Sequence, residues 1–575
     1  MNRRRISYII IIFTVMFAFA GVYGVYLDVH DDKSVNEDEP FYFELVHSGI
    51  RDTLIPWKNP DGDYDLFLPS YGRLSDLILR VNGTKWLIFD GRPIKTGKSF
   101  PDKEFDEPYT LRIGDADYTL TFHSSKNVAA LFVTVKDEDY YITKNKDRKE
   151  KATANFISED GEESTGELSA TIKGHGNSTW LADKKPYQIK LDKSRSILGM
   201  GDAKKWLLIA NAYDATNMRN KIIYDLSNEL FSEWSVKGEY ADVYLNGRYN
   251  GLYLITEKIE KGDNRISKEA DFVVEQETAK RDDEADYMTT KDIAIQVVEP
   301  ENYDDDTLIE ISDTIQQMED SFFYPGSEWK TIIDMDSWAK KYLIDEFSGN
   351  FDADKLSSYM YAMEDSGRLK IYGGPVWDYD KAFMQEDSVD EPYLFAAAAT
   401  YRRRNVVTPY YKALFEKPAF RKHVAKVYKK ELRPLLEALV KDGYDELSDR
   451  LYSANVNNFY RCQPFIPPVG YTHKDLKSAI AAVKRYINAR IHVMDDKWIN
   501  GSTYHIVGIE PEERGKIREY EVKDGNMFDK FPDAGYYDIA EPVWYDNETG
   551  EEYDQPFVPR GDIYLYLKKQ PKEAQ

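Results

Sequence analysis

The sequence predicts a multidomain α+β protein: a central two-lobe α+β domain flanked by N-terminal and C-terminal all-β modules. Three observations predict this. The chain has 575 residues, more than one ordinary domain holds. Both ends alternate apolar and polar residues in short runs, the period of strands. The middle changes from strand-like runs to apolar residues spaced by three and four, and carries an acid-rich segment between glycines and a proline.

Residues 1–30 read as an export element. Arg3, Arg4 and Arg5 precede a charge-free run from Ile6 to Leu27. One reading is a cleaved signal peptide with small residues at Ala18 and Ala20. The other is a retained anchor, since about 20 apolar residues span a bilayer. The run continues past Ala20 through Val22, Val25 and Leu27, which favours the anchor. Either reading leaves the arginines inside and the rest of the chain outside the cytoplasm.

Residues 31–150 form the first β module. An acidic linker to Pro40 leads into runs at 77–81 and 85–89 joined by Asn82-Gly83, a hairpin signal, and into runs at 118–122 and 130–135. A charged break at 144–151 precedes the central domain, 151–500. That domain opens with a strand at 168–173, the loop Gly174-His175-Gly176-Asn177-Ser178 and a strand at 185–191. A helix follows, with Met218, Ile222, Ile223, Leu226 and Leu230 on one face and Asp214 or Thr216 as its cap. A hairpin turns at Asn246-Gly247. Extended runs at 271–277 and 293–298 give way to helices at 308–318, 332–347, 410–415, 420–439 and 480–500. Residues 503–570 return to a strand pattern.

Composition bounds the function. Hydrophobic residues make up 42% of the chain, enough for large cores. The 76 basic and 101 acidic side chains leave −25, which argues against a nucleic-acid partner. With Cys462 alone, no intramolecular disulfide forms. The eight histidines lack zinc-ligand spacing.

The chemistry-bearing segment is 342–383. A helix stops at Gly349, Asn350-Phe351-Asp352 follow, then a hairpin (358–363 and 369–372), then Gly373-Gly374-Pro375-Val376-Trp377-Asp378-Tyr379-Asp380. A hairpin brings its ends together, so Asp352 is expected near Asp378 and Asp380. Clustered carboxylates repel unless a cation lies between them, and all-oxygen ligands suit Mg²⁺ or Mn²⁺. The plain alternative is a turn-capping Asp352 and solvated Asp378 and Asp380. Gly174, Gly176 and Ser178 offer backbone N–H groups to an anion, or mark a tight turn. Period-2 reading places Lys190 on the polar face of its strand, opposite Tyr187, Ile189 and Leu191. Arg219, near a helix start, suits either a phosphate or a salt bridge. Glu229 near that helix's end is a candidate lysine partner or solvent-facing charge. Glu257 ends a hairpin, either as an acceptor for an adenine or ribose group or as a surface residue. Paired carboxylates also serve glycosidases, but that reading leaves the glycine loop and Lys190 unexplained. The order of glycine loop, strand lysine, helix and two acid loops is that of protein kinases.

The run 173–180, together with Lys184-Lys185-Pro186-Tyr187-Gln188-Ile189-Lys190-Leu191, Met218-Arg219-Asn220-Lys221, 204–211, 251–257 and Gly374-Pro375-Val376-Trp377-Asp378-Tyr379-Asp380, resembles the spore-coat-protein-H (CotH) family of atypical kinases. The resemblance spans about 150–460. It implies an atypical protein-kinase-like two-lobe fold, ATP with Mg²⁺ or Mn²⁺, and phosphorylation of Ser/Thr on exported or surface proteins. By position, Asp352 matches the catalytic aspartate, Asp378 the metal aspartate with Asp380 a second ligand, and Lys190 the nucleotide lysine. Kinases place a metal-binding Asn five residues after the catalytic Asp. Here that residue is Ser357, with Asn350 or Asp380 as substitutes, so the alternative of a catalytically weak or inactive surface-binding protein stands beside the kinase. The stretch with Val543-Trp544-Tyr545-Asp546 and Gly561-Asp562-Ile563-Tyr564-Leu565 resembles small β-grasp-like repeats of Gram-positive surface proteins. That implies attachment to the cell envelope.

The export reading has a direct test. Protease treatment of intact cells is expected to remove the globular part of the chain, and protection until lysis would contradict it.

Overall fold

The computed structural model describes residues 39–81, 83–135, 140–277, 285–291, 293–323, 328–350, 356–384, 409–415, 417–462, 475–499, 503–509, 516–523, 527–528, 543–546, 551–553, 556–557, 559 and 563–567. The described residues divide into two compact units. One comprises the chain up to Ser124 with Tyr244–Tyr249; the other comprises Ser125–Val243 and the chain from Asn250 onward. Among the described residues no helix is long and apolar enough to cross a membrane. The run from Ile6 to Leu27 lies outside them.

The first unit is all β. Ile50–Leu54, Tyr42–His47 and Leu77–Arg80 form one antiparallel sheet. A six-stranded sheet includes Trp86–Phe89, Pro108–Ile113 and Ala116–Ser124. Its core is aromatic: Phe100 lies 5.4 Å from Phe43, 4.6 Å from Phe89 and 5.4 Å from Phe122. The unit closes at Ser124, earlier than residue 150, because the next strand, Ala129–Val135, hydrogen-bonds along Glu150–Ile157.

Seven of the described strands, nearly all of their residues in the second unit, close a barrel. Their order is Ala129–Val135, Glu150–Ile157, Leu168–Gly174, Tyr187–Ser196, Asp202–Ile209, Arg248–Glu257, Gly238–Leu245. Two of these, Glu150–Ile157 and Asp202–Ile209, are absent from the sequence expectation. In the first, exposed Lys151 lies between buried Glu150 and Ala152; in the second, exposed Asp202 and Lys204 flank buried Ala203 and Trp206 is buried beyond them. The helix Arg219–Leu230 starts after Met218; Asp214 is not its cap residue but accepts the N–H of Arg219 at 2.9 Å.

A five-stranded sheet follows, ordered Tyr287–Met288, Ala294–Glu299, Ala270–Glu277, Ser358–Asp365, Arg368–Gly373. Helix Met335–Ser348 packs on its last strand. A Cβ on Gly373 would meet the Trp338 backbone at 3.1 Å, so glycine permits this close approach. Trp338 donates its indole N–H to Ile371 at 3.1 Å. The expected helix at 420–439 belongs to a longer one, Pro418–Arg461, continuous through wider turns at Tyr428–Leu432 and Leu439–Gly443. Near the C-terminus, Thr503–Ile509 pairs in parallel with Ile563–Leu567 within a five-stranded sheet over Ile506, Phe528, Trp544 and Leu565. The whole is a mixed α+β architecture.

One ion pair is buried where Leu476–Trp498 meets Met335–Ser348. Arg490 bonds the Glu346 carboxylate at 2.5 Å and the Glu346 carbonyl at 2.9 Å, with both side chains essentially inaccessible. Removing one partner strands the other charge, at a cost of roughly 3–5 kcal/mol. Arg490→Met is therefore expected to lower the urea midpoint sharply. The double variant Glu346→Leu/Arg490→Met should recover a large part of the loss.

Candidate functional site

The acid segment is set by its flanks. Asp334 caps helix Met335–Ser348 by accepting the Ser337 N–H at 2.8 Å, and Gly349 ends it in the left-handed region at φ 58°. Asn350 follows, buried, and donates its amide to the Asp378 carbonyl at 2.8 Å. The hairpin Ser358–Asp365/Arg368–Gly373 turns through Ser366 and Gly367, both at positive φ. Its two ends meet: Asn350 from one flank bonds Asp378 from the other. Asp352 lies outside the described residues. Asp378 is exposed at φ 63°, a conformation Asp tolerates better than most residues. Asp380, two residues on, is buried.

The other side of this loop is held by helix Arg219–Leu230. Asn220 accepts the Tyr379 N–H at 2.7 Å, and Arg219 donates to the Asp380 carbonyl at 3.0 Å. Arg219 is 3.4 Å from Asp214 and almost fully buried. Tyr224 stacks on Trp377 with ring centroids 5.9 Å apart and bonds the Asp378 backbone. Burial, then the charges of Asp378 and Asp380, holds the Tyr224 hydroxyl protonated.

The glycine loop closes on itself. A Cβ on Gly174 would lie 2.5 Å from the Trp180 ring, and one on Gly176 2.3 Å from Thr179 Oγ1. The glycines thus admit the loop's own short helix, Ser178–Leu181, in which Ser178 is exposed. Tyr187, Ile189 and Leu191 are buried in the barrel, and Lys190 faces outward in register with Thr171 and Lys205. Lys205 forms ion pairs with Glu260 and Glu301. The Lys205 hydrogen bond, then the charges of Lys205, Lys258 and Lys190, holds the Glu301 carboxyl below the usual range.

Between this barrel face and the second sheet is a cavity of about 530 Å³. Leu207, Ile259, Val297 and Val298 make its apolar wall; His175, Lys258, Glu275, Gln296 and Glu301 supply polar groups; Trp377 closes it from the acid loop. Tyr359 donates to Glu275 at 2.7 Å. Burial, reinforced by Lys173, Lys258 and Lys146, pushes the His175 pKa down to about 4. His175 is therefore neutral at pH 7.

The sequence profile described as CotH kinase protein matches residues 172–494, more than half of the chain. The chain belongs to the CotH kinase family. No curated protein matches it. Membership brings a kinase-like domain and, in general, nucleotide and metal use. Asp378, Asp380 and Asn350 carry carboxylate and carboxamide oxygens, the ligand type that hard cations take, on two loops joined by the Asn350–Asp378 bond.

The structure brings Asn350, Arg219, Asp378 and Asp380 of this CotH-family chain into one loop cluster. Gly174, Gly176, Ser178 and Lys190 lie on the barrel side. Glu257 stands apart: it is buried in an ion pair with Arg265 and accepts the Lys237 N–H at 2.9 Å. The next residue, Lys258, is the one that reaches the cavity. Strand alternation separates the two, and that one-residue offset was the available signal. Glu275, Gln296 and Trp377 are cavity residues that sequence reasoning missed, although Trp377 stands inside the quoted acid-loop motif. Glu275 and Gln296 come from neighbouring strands whose pairing no local pattern announces.

The His175 environment has a pH consequence. Its folded pKa lies below the unfolded value, so its contribution to stability is full above about pH 6.5 and is lost as pH falls toward 4. Between about pH 7 and 4.5 the wild type is expected to lose roughly 2 kcal/mol more than His175→Gln, measured by denaturant titration. Equal losses would show that His175 is not the group resisting protonation.

Proposed function

We propose that the chain is an extracytoplasmic ATP-dependent protein kinase that phosphorylates Ser/Thr hydroxyls of exported or cell-surface proteins. The observation that carries this reading is the cavity with a lysine-bearing barrel face on one side and the Trp377–Asp380 loop on the other. Lys190 and Lys258 neutralise nucleotide phosphates, beside the rim that the glycine loop forms at His175. Asp378, Asp380 and Asn350 hold Mg²⁺ or Mn²⁺, which when bound supplies charge neutralisation on the phosphates. Arg219 keeps the metal loop in place through the Asp380 carbonyl. Asp352, by its place in the family motif, orients the attacking hydroxyl and accepts its proton. Residues 1–30 carry the chain out of the cytoplasm as a cleaved signal or an anchor, and the C-terminal β module attaches it to the cell envelope. The charge of −25 argues against nucleic acid as substrate.

Ser357 favours a second reading, a surface-binding protein with weak or no turnover. It stands at φ 52° where kinases place a metal-binding Asn, and a hydroxyl is a weaker ligand than a carboxamide.

Three variants separate these readings. Asp378→Asn is expected to weaken Mn²⁺-dependent ATP binding and to abolish transfer. Asp352→Asn should spare ATP binding and cut transfer about 10²-fold or more. Lys190→Ala should weaken ATP binding with little change in apo melting temperature. Radiolabelled transfer to a generic acceptor and calorimetry report all three. A wild type that binds ATP with Mn²⁺ but transfers nothing supports the second reading. Full transfer by Asp352→Asn would exclude that residue as the base.

A further inference from the structure

The proposed metal ligands Asp378 and Asp380 flank a residue anchored in the helical core. Tyr379 is buried, and its hydroxyl donates to Asp345 on helix Met335–Ser348. The Asp345 carboxylate is inaccessible to solvent and gathers two further donors on its other oxygen: Tyr411 at 2.5 Å and Lys341 at 2.8 Å. Lys341 also reaches the Tyr411 hydroxyl at 3.2 Å. Lys341 sets a positive group within hydrogen-bond reach of this buried carboxylate. Tyr411 comes from a separate helix, Pro409–Phe415. Asp345 is thus a fixed post, set in place by two elements that do not belong to the acid loop.

We propose that Asp345 is a positioning residue which, through Tyr379, sets the register of the Asp378–Asp380 segment and thereby its affinity for a divalent cation. This rests on the metal role given to that loop above. The physical case is directional. Residues 376–378 have neither helix nor strand, so no ladder of backbone bonds determines how far along the chain the loop sits. Backbone anchors at Asp378, Tyr379 and Asp380 constrain its path. The Tyr379 side chain adds the one deep anchor between the two carboxylates. A phenylalanine ring would fill the same space, but it would lack the charge-assisted bond that specifies the ring's depth and rotation. Groups that orient metal ligands from behind typically change metal affinity by about 10–100-fold when removed.

Tyr379→Phe and Tyr411→Phe make a matched pair. Each removes one hydroxyl from the same carboxylate, and only the first detaches the acid loop. Mn²⁺ is titrated into the full chain with a non-hydrolysable ATP analogue, and free Mn²⁺ is read by electron paramagnetic resonance. Melting temperature is recorded alongside. Tyr379→Phe is expected to weaken Mn²⁺ binding by about 10-fold or more. Tyr411→Phe should stay within about 2-fold of wild type while losing a similar amount of stability. Equal Mn²⁺ affinity in both variants and wild type overturns the assignment. So does equal weakening in both, which would mark a general loosening of the core. If Tyr379→Phe does not fold, Lys341→Met/Asp345→Asn keeps a neutral acceptor for Tyr379 and is expected to weaken Mn²⁺ binding, with wild-type affinity overturning the assignment. A wild type that takes up no Mn²⁺ overturns the kinase reading itself, and this assignment with it.

Discussion

Backbone polar groups buried outside helices and strands must still be paired, and in this protein that requirement is concentrated on the loop around Asp378. Its carbonyl at Asp378 is satisfied by Asn350, its N–H at Tyr379 by Asn220, and its carbonyl at Asp380 by Arg219. A little further on, the Phe383 N–H reaches the carbonyl of Ser348 at 2.8 Å. The partners come from helix Arg219–Leu230 and from the end of helix Met335–Ser348. The loop therefore ties the barrel side of the kinase-like domain to its helical side, and Trp377 reaches the cavity wall from it.

The opposite wall follows from a different constraint. A closed barrel has one interior, so every strand must turn one side of its alternation outward. In three neighbouring strands those outward positions include Lys173, Lys190 and Lys205. Lys258 extends the set just beyond a fourth, and the result is a local basic face on a chain that is acidic overall. Glu260 and Glu301 balance part of it through Lys205. Burial keeps the nearby His175 neutral, since a further positive charge would stand beside Lys173, Lys258 and Lys146.

The glycine loop shows how a familiar pattern can have a nearer cause. Glycines at 174 and 176 suggest room for a phosphate. In the folded chain that room is already taken by Trp180 and Thr179 of the same loop. Its packing shapes the rim of the cavity, where His175 is presented.

The sequence by itself determined the local elements and their order. Alternation at Tyr187, Ile189 and Leu191 was enough to turn Lys190 outward, and the Asn246-Gly247 and Ser366-Gly367 turns were enough to close their hairpins. The 3–4 spacing ending at Gly349 located the helix that delivers Asn350. These are legible because each depends on neighbours a few residues away. Tertiary structure alone decided the rest. Ala129–Val135 reads like any other strand, and only its pairing with Glu150–Ile157 assigns it to the barrel. Glu257 and Lys258 are adjacent charged residues at a strand end; which one enters the core depends on Arg265, which only the fold brings against Glu257. Arg219 lies beside Asp214 close by in sequence, but its bond to the carbonyl of Asp380, 161 residues away, comes only with the fold. Such choices rest on partners distant in sequence, which no local period encodes.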